Sequence, residues 1–305
     1  MTAEAELARE EPRAADIAAP AALPWLRVFY WSVRRELWEH AAVYVAPLAV
    51  AAIALIGFGI GAFSLPDIVL AAATPGKERG LLFAPYEFVA FVGLVTSLLV
   101  AVFYSLGALQ NERRDRSILF WKSLPVSDLT TVLSKATIPL VVQPLVTLAV
   151  VVVATAVMWA LSMLIVLANG LDARVLLSED LIPFVWRTLA EGLPGIALWY
   201  APLYGWLMLV SAWARRVAFL WAIAPPLLVA FVEALAFHTS FVWRWLLLRM
   251  FGPFAFQGMR GGQPGHHWAN GDPTDWASPH LWIGVMLAVA FFAGAAWLRR
   301  SREPT

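Results

Sequence analysis

Long uncharged apolar runs alternate with short polar segments along this chain. A run of about 20 apolar residues at 1.5 Å rise per residue matches the ~30 Å hydrocarbon core of a bilayer. Such runs fall at roughly 42–64, 85–109, 136–168, 188–213, 217–237 and 281–298, and predict six membrane-spanning helices. The third run is too long for one crossing, so part of it should project from the bilayer as helix. A further stretch at 241–257, FVWRWLLLRMFGPFAFQ, is apolar but interrupted by Arg244 and Arg249. An arginine near a helix centre costs about 2.5–3.5 kcal/mol on insertion scales. This segment therefore predicts an interfacial or re-entrant helix with snorkelling arginines. It opens an outer region, 239–280, that continues into a Gly-, Pro- and Asp-rich loop.

Two segments break the alternation of span and short turn. Residues 25–40, WLRVFYWSVRRELWEH, interleave Trp25, Phe29, Trp31 and Leu37 with Arg27, Arg34, Arg35 and Glu36. They predict a basic, Trp-rich amphipathic helix suited to the headgroup plane. The second segment, 111–135, NERRDRSILFWKSLPVSDLTTVLSK, is the long polar stretch between the second and third runs. Residues 113–123 predict a short helix with Ile118, Leu119 and Trp121 on its apolar side. Pro125 ends it, because the residue before proline is pushed out of the α region. Ser127 is a good N-cap and Asp128 suits the positive end of a new helix, which can run straight into the third span. The result is a short helix, a bend and a long climbing helix, with an apolar surface that calls for a partner unless it packs on neighbouring helices.

Composition strengthens the membrane reading: 61% of the 305 residues are hydrophobic and 14% charged, against roughly half and a quarter in soluble domains. There is no cysteine, so neither disulfides nor thiolate chemistry enter. Residues 1–24, rich in Ala, Glu and Pro, lack the regions of a signal peptide and predict a disordered tail. Placing both termini in the cytosol puts Arg27, Arg34, Arg35, Arg113, Arg114, Arg116, Lys122, Lys135, Arg215, Arg216, Arg299, Arg300 and Arg302 inside. The outside then holds the smaller set Lys77, Arg79, Arg174, Arg187, Arg244, Arg249 and Arg260, as the positive-inside rule requires. The fold class expected is an all-α integral membrane protein. An amphipathic connector occupies 25–40 and a six-helix transmembrane domain 41–305.

The 111–135 segment resembles the cytosolic signature of ABC-2-type transport permeases. Glu112, Arg113, Ser117, Leu119, Leu124, Pro125, Val126, Ser127 and Lys135 match the family pattern, with Ser134 where glycine is commoner. The resemblance implies the membrane-spanning subunit of an ABC exporter in a bacterial-type cytoplasmic (inner) membrane. A second permease copy would form a homodimer, and separate ATPase subunits would bind ATP and Mg. On that reading Glu112, Arg113, Arg114, Arg116, Ile118, Leu119, Trp121 and Pro125 form a coupling helix in the ATPase groove. Trp25, Phe29, Arg34 and Arg35 belong to a connector helix beside it. Membrane lipid is a partner and nucleic acid is not.

Other constellations carry less. Gly76-Lys77 lacks the upstream glycine and the Ser/Thr of a P-loop, so ATP hydrolysis belongs to another polypeptide. Glu233 lies within the fifth span, where an ionisable residue is a functional candidate. With Pro225 and Pro226, which should kink that span, it is a candidate for the translocation path. A hydrogen-bonded structural acid is the competing reading. Gly57 and Gly61 form a GxxxG pattern that permits close helix approach. Trp199, Trp206 and Trp213 recur every seven residues, the outer two suited to interfacial belts and Trp206 to packing, with a substrate cage as the competing reading. His266, His267, Asp272, Asp275 and His280 lack any metal-ligand spacing, so neither a metal nor a catalytic residue is expected. The alternatives are an ion-coupled secondary transporter using Glu233 and a membrane-embedded enzyme using the His/Asp-rich outer loop.

Overall fold

The computed structural model describes residues 24–72, 80–114, 126–172, 176, 193–258 and 276–301. Among these residues there is no strand. Helix α1 (Trp25–Glu39) precedes α2 (Ala42–Gly61), which passes through a 3-10 turn (Ala62–Ser64) into α3 (Leu65–Ala72). Then come α4 (Gly80–Gly107), α5 (Gln110–Arg114), α6 (Asp128–Thr137), a π-helical turn (Ile138–Val142) and α7 (Gln143–Ala168). The chain closes with α8 (Leu193–Trp213), α9 (Ala218–Phe237), α10 (Phe241–Gly258) and α11 (Pro279–Ser301). Six helical runs are long and apolar enough to cross a membrane: Ala42–Ala71, Ala84–Glu112, Asp128–Ala168, Gly195–Trp213, Ala218–Phe237 and Pro279–Ser301. The architecture is that of an all-α, multi-pass membrane protein.

The first and last runs extend past the expected 42–64 and 281–298, because apolar helix continues through the 3-10 turn and into the terminal arginines. The third starts as its cap chemistry requires. Ser127 is extended and its Oγ accepts the Thr130 N–H at 3.0 Å, with Asp128 in the first turn. Helix then continues from Asp128 to Ala168, 41 residues, or about 60 Å. Pro139 and Pro144 interrupt its donors, and between them it widens into the π turn, where the Gln143 N–H reaches back to the Ile138 carbonyl.

Helix α8 is the centre of the bundle. Along its apolar span 72% of the residues are buried, against 17–33% in the other five, so the others surround it. Gly205 lets α11 approach closely: a Cβ there would stand 3.1 Å from Phe291 Cβ and 3.2 Å from the Ala288 carbonyl. Helix α9 is the opposite case, with Phe219, Leu220, Leu228, Phe231 and Leu235 all exposed. It continues unbroken through Pro225 and Pro226. Pro226 has no N–H for the Ala222 carbonyl four residues before it. The Trp206 indole of α8 supplies the missing donor at 2.9 Å, and its ring meets Phe291 edge-on. Packing is thus the role the structure gives Trp206.

Three expectations are corrected. Arg249 does not snorkel; it is 5% exposed, and its guanidinium donates to the Trp199 and His280 carbonyls between the Trp199 and Trp245 rings. Desolvation lowers its pKa to about 10. Gly284 of α11 makes room for it, since a Cβ there would clash with the guanidinium. Trp199 is not in an interfacial belt: it is fully buried and its indole donates to the Arg249 carbonyl at 3.1 Å. Gly57 and Gly61 have nothing within 4 Å of where a Cβ would stand. Instead of meeting a helix, they border an apolar groove of about 690 Å³ with Phe58, Pro85, Phe88 and Met158.

Candidate functional site

Five helices converge at one end of the bundle on a buried cluster of charge. Glu36 comes from the inward side of α1 and is 1% exposed. Lys135 comes from α6 and is 2% exposed. Glu112 sits on the short helix α5, and Arg299 in the last turn of α11; both are buried. Tyr104, near the end of α4, completes the set.

The geometry is that of a shared lattice. Lys135 Nζ lies 2.7 Å from Glu36 Oε1 and 3.1 Å from Glu112 Oε1. The Tyr104 hydroxyl donates to Glu36 Oε2 at 2.9 Å. Arg35 reaches Glu36 at 2.8 Å, Glu39 at 3.1 Å and Glu112 at 3.5 Å. Arg299 is bidentate in an unusual sense, because its two contacts belong to different partners. Its Nη1 donates to Glu112 Oε2 at 2.6 Å and its Nε to Asp128 Oδ1 at 2.9 Å. Leaving aside Glu39, which is exposed, Glu36, Glu112 and Asp128 thus face Arg35, Lys135 and Arg299, and these charges balance. Balance is essential here, since an uncompensated buried charge costs several kcal/mol.

Local structure explains how the groups arrive. The α1 helix turns Trp31, Arg34 and Trp38 outward, where the Arg34 guanidinium lies 4.9 and 5.3 Å from the two indole rings. That places Glu36 on the other side, with Val33 and Leu37 packed on the core. The junction of α4 and α5 is pinned by Ser211 of α8, whose Oγ accepts the N–H groups of Leu109 and Gln110, both at 3.0 Å. That junction aims Glu112 inward. Asp128 stands in the first turn of α6, and Lys135 two turns further on.

Glu112 and Asp128 flank the segment 115–125. These two flanking residues are held by one side chain, Arg299. The predicted coupling-helix residues Arg116, Ile118, Leu119, Trp121 and Pro125 lie within that segment, outside the described residues. Arg113 is in α5, and Arg114 is exposed at its end. Glu112, expected in the coupling helix, is buried in the cluster. Of the predicted connector residues, Arg35 joins the cluster, Arg34 lies against Trp31 and Trp38, and Trp25 meets Phe29 edge-on at 6.2 Å.

Glu233 is far from this end in the fold and caps α10. Its carboxylate accepts the Thr239 hydroxyl at 2.6 Å and the N–H groups of Phe241 and Val242, both at 2.7 Å. His238 makes the turn in the left-handed region, φ 51°. Among the described residues one group has metal-ligand types close together, Glu36, Glu39 and His40. Lys135 and Tyr104 already occupy Glu36, which disfavours a metal there. His266, His267, Asp272 and Asp275 lie outside the described residues.

Sequence reasoning missed Glu36, Tyr104, Asp128 as an ion-pair partner, Lys135 and Arg299 as one unit. The available signal was that Glu36 shares a helix face with Val33, and that Lys135 opens an apolar run between Ser134 and Ala136. Comparison with known families, with curated proteins and with solved structures finds no match to this chain.

Proposed function

We propose that this chain is the transmembrane permease subunit of an ATP-driven ABC exporter, active as a homodimer on separate ATPase subunits. The observation that carries the reading is the Arg299 clasp on Glu112 and Asp128, the residues at the two ends of the segment resembling a coupling helix. A lever is useful only if its base is stiff. Here the base joins α1, α5, α6 and α11 through buried ion pairs, so a push on 115–125 moves its two attachments together. The push then enters the helix from Asp128 to Ala168, which is about 60 Å long and runs the depth of a bilayer. The connector α1 follows, because Lys135 of that same helix holds Glu36.

In this reading both termini and the ion cluster face the cytosol, and α10 with the 259–275 loop faces outward. Alternating access occurs between two copies, and Pro225 and Pro226 of α9 remain candidates for the path. Glu233 is assigned to capping α10, since its oxygens already accept three donors. That occupation also weighs against a carrier that cycles protons or ions on Glu233.

Co-purification and reconstitution test the proposal. The chain should assemble with an ABC ATPase and couple its hydrolysis to export. Trp121→Asp or Leu119→Asp should leave the chain inserted but uncoupled, by burying an unpaired charge at the ATPase contact. Gradient-driven transport by the chain alone, or full transport by both variants, would sink the reading.

A further inference from the structure

The α8–α9 turn, Ala214 to Val217, lies at the same end of the bundle as the ion cluster. Ser211, one turn earlier, binds the α4–α5 junction, and Ala212 packs with Leu109, Val132 and Ala295. Two arginines stand in this turn, Arg215 and Arg216, both exposed. Among the cations of this end, the buried or half-buried Arg35, Lys135 and Arg299 are matched by carboxylates. Arg215 and Arg216 meet none among the described residues.

The turn is held in a costly shape. Val217 adopts φ 50°, ψ 55°, a left-handed conformation that a β-branched residue rarely takes. This conformation starts α9 immediately, and the first turn of α9 then stands against the last turn of α8. The Trp213 and Trp221 rings meet there at 90° with centroids 4.7 Å apart. Together Trp213, Ala214, Arg215, Arg216 and Trp221 line an open cleft of about 630 Å³. That falls within the ~300–1,000 Å³ usual for ligand clefts, enough for a headgroup.

We propose that this cleft binds the phosphate of an anionic phospholipid, held by Arg215 and Arg216 and walled by Trp213 and Trp221. Guanidinium forks match phosphate oxygens. Indoles favour the headgroup level, and the cleft lies where two membrane-spanning helices end, so a lipid phosphate meets it at its natural depth. Basic pockets between helix ends are the usual seats of anionic headgroups. An acidic protein surface would account for the arginines but not for the paired indoles. The proposal needs only that α8 and α9 span a membrane, and stands apart from the exporter reading.

The test is native mass spectrometry of the full-length, detergent-solubilised protein, titrated with phosphatidylglycerol or phosphatidylcholine of the same acyl chains. Phosphatidylglycerol should be retained preferentially, and Arg215→Gln/Arg216→Gln should weaken that retention roughly thirtyfold, the loss expected for two surface phosphate contacts. Arg27→Gln/Arg34→Gln on α1 should leave this site occupied. Arg215→Lys/Arg216→Lys, which keeps charge without the fork, should fall between. If the glutamine variant fails to fold, the lysine variant and the choline comparison carry the test, and equal retention of both lipids overturns the site. Unchanged retention in the glutamine variant overturns it. So does displacement by inorganic phosphate at matched concentration, which would mark a soluble-anion site. Loss of a co-purifying ATPase with lipid retention intact would assign the arginines to a protein contact instead, and also overturns the proposal.

Discussion

Lys135 stands in the bundle with 2% of its side chain exposed, and its ammonium is shared between Glu36 and Glu112. Removing it leaves two carboxylates short of a partner in a site that water barely reaches. Lys135→Met should therefore destabilise the protein by about 3–5 kcal/mol, whereas Glu36→Met/Lys135→Met should recover most of that loss. Thermal unfolding of the two variants in detergent measures the difference. Glu233 invites the opposite expectation. Glu233→Gln keeps one acceptor for the Phe241 and Val242 N–H groups, so assembly and transport should persist. Glu233→Leu should loosen the α9–α10 turn and lower expression. A clear loss of transport in well-assembled Glu233→Gln would place Glu233 on the path after all. The charges in the cluster were individually visible in the sequence, but their pairing was not. Glu36 and Lys135 are 99 residues apart and Glu112 and Arg299 are 187 apart, and no local rule links such positions.

At the scale of elements, the pairing of α8 with α9 includes a repair. Pro226 removes the donor that the Ala222 carbonyl would have had, and the Trp206 indole replaces it. Trp206→Phe should strand that carbonyl at a cost of about 1–3 kcal/mol. Pro226→Ala restores an N–H within the helix, so Trp206→Phe should cost clearly less in that background. A double-mutant cycle on unfolding midpoints reads the coupling. Equal costs in both backgrounds would show that the indole contributes by packing alone. Helix α6 illustrates what local chemistry can announce. Ser127 as cap, Asp128 behind it and the apolar run that follows Lys135 were enough to place its start and its continuation into the third span. Helix α10 illustrates the limit. Its apolar character was evident, but the burial of Arg249 depends on Trp199, Trp245 and Gly284, which come from three separate helices.

At the scale of the molecule, the arrangement is a bundle wrapped around α8 with a stiff, charge-locked base at one end. The orientation proposed for that base can be measured directly. The chain has no native cysteine, so cysteines introduced singly at Ser127 and Gly262 label against a clean background. They should react from opposite sides of the membrane, with Ser127 on the cytosolic side. Labelling of both from one side would refute the six-span orientation and, with it, the position of the lever.

The sequence by itself determined that the chain is helical, that it holds six apolar runs of membrane length, and where several of them begin. Each of these follows from short-range physics: hydrophobic length, cap residues and proline's missing donor. It also carried the 111–135 pattern on which the family resemblance rests. Only the tertiary structure decided which charges are buried together, that one arginine holds both Glu112 and Asp128, and that Glu233 is a cap. It alone showed that the Gly57–Gly61 face lies open rather than packed. The reason is physical. A span's membrane length is a property of its own residues, whereas compensation of a buried charge depends on groups that only the packing of distant helices brings within 3 Å.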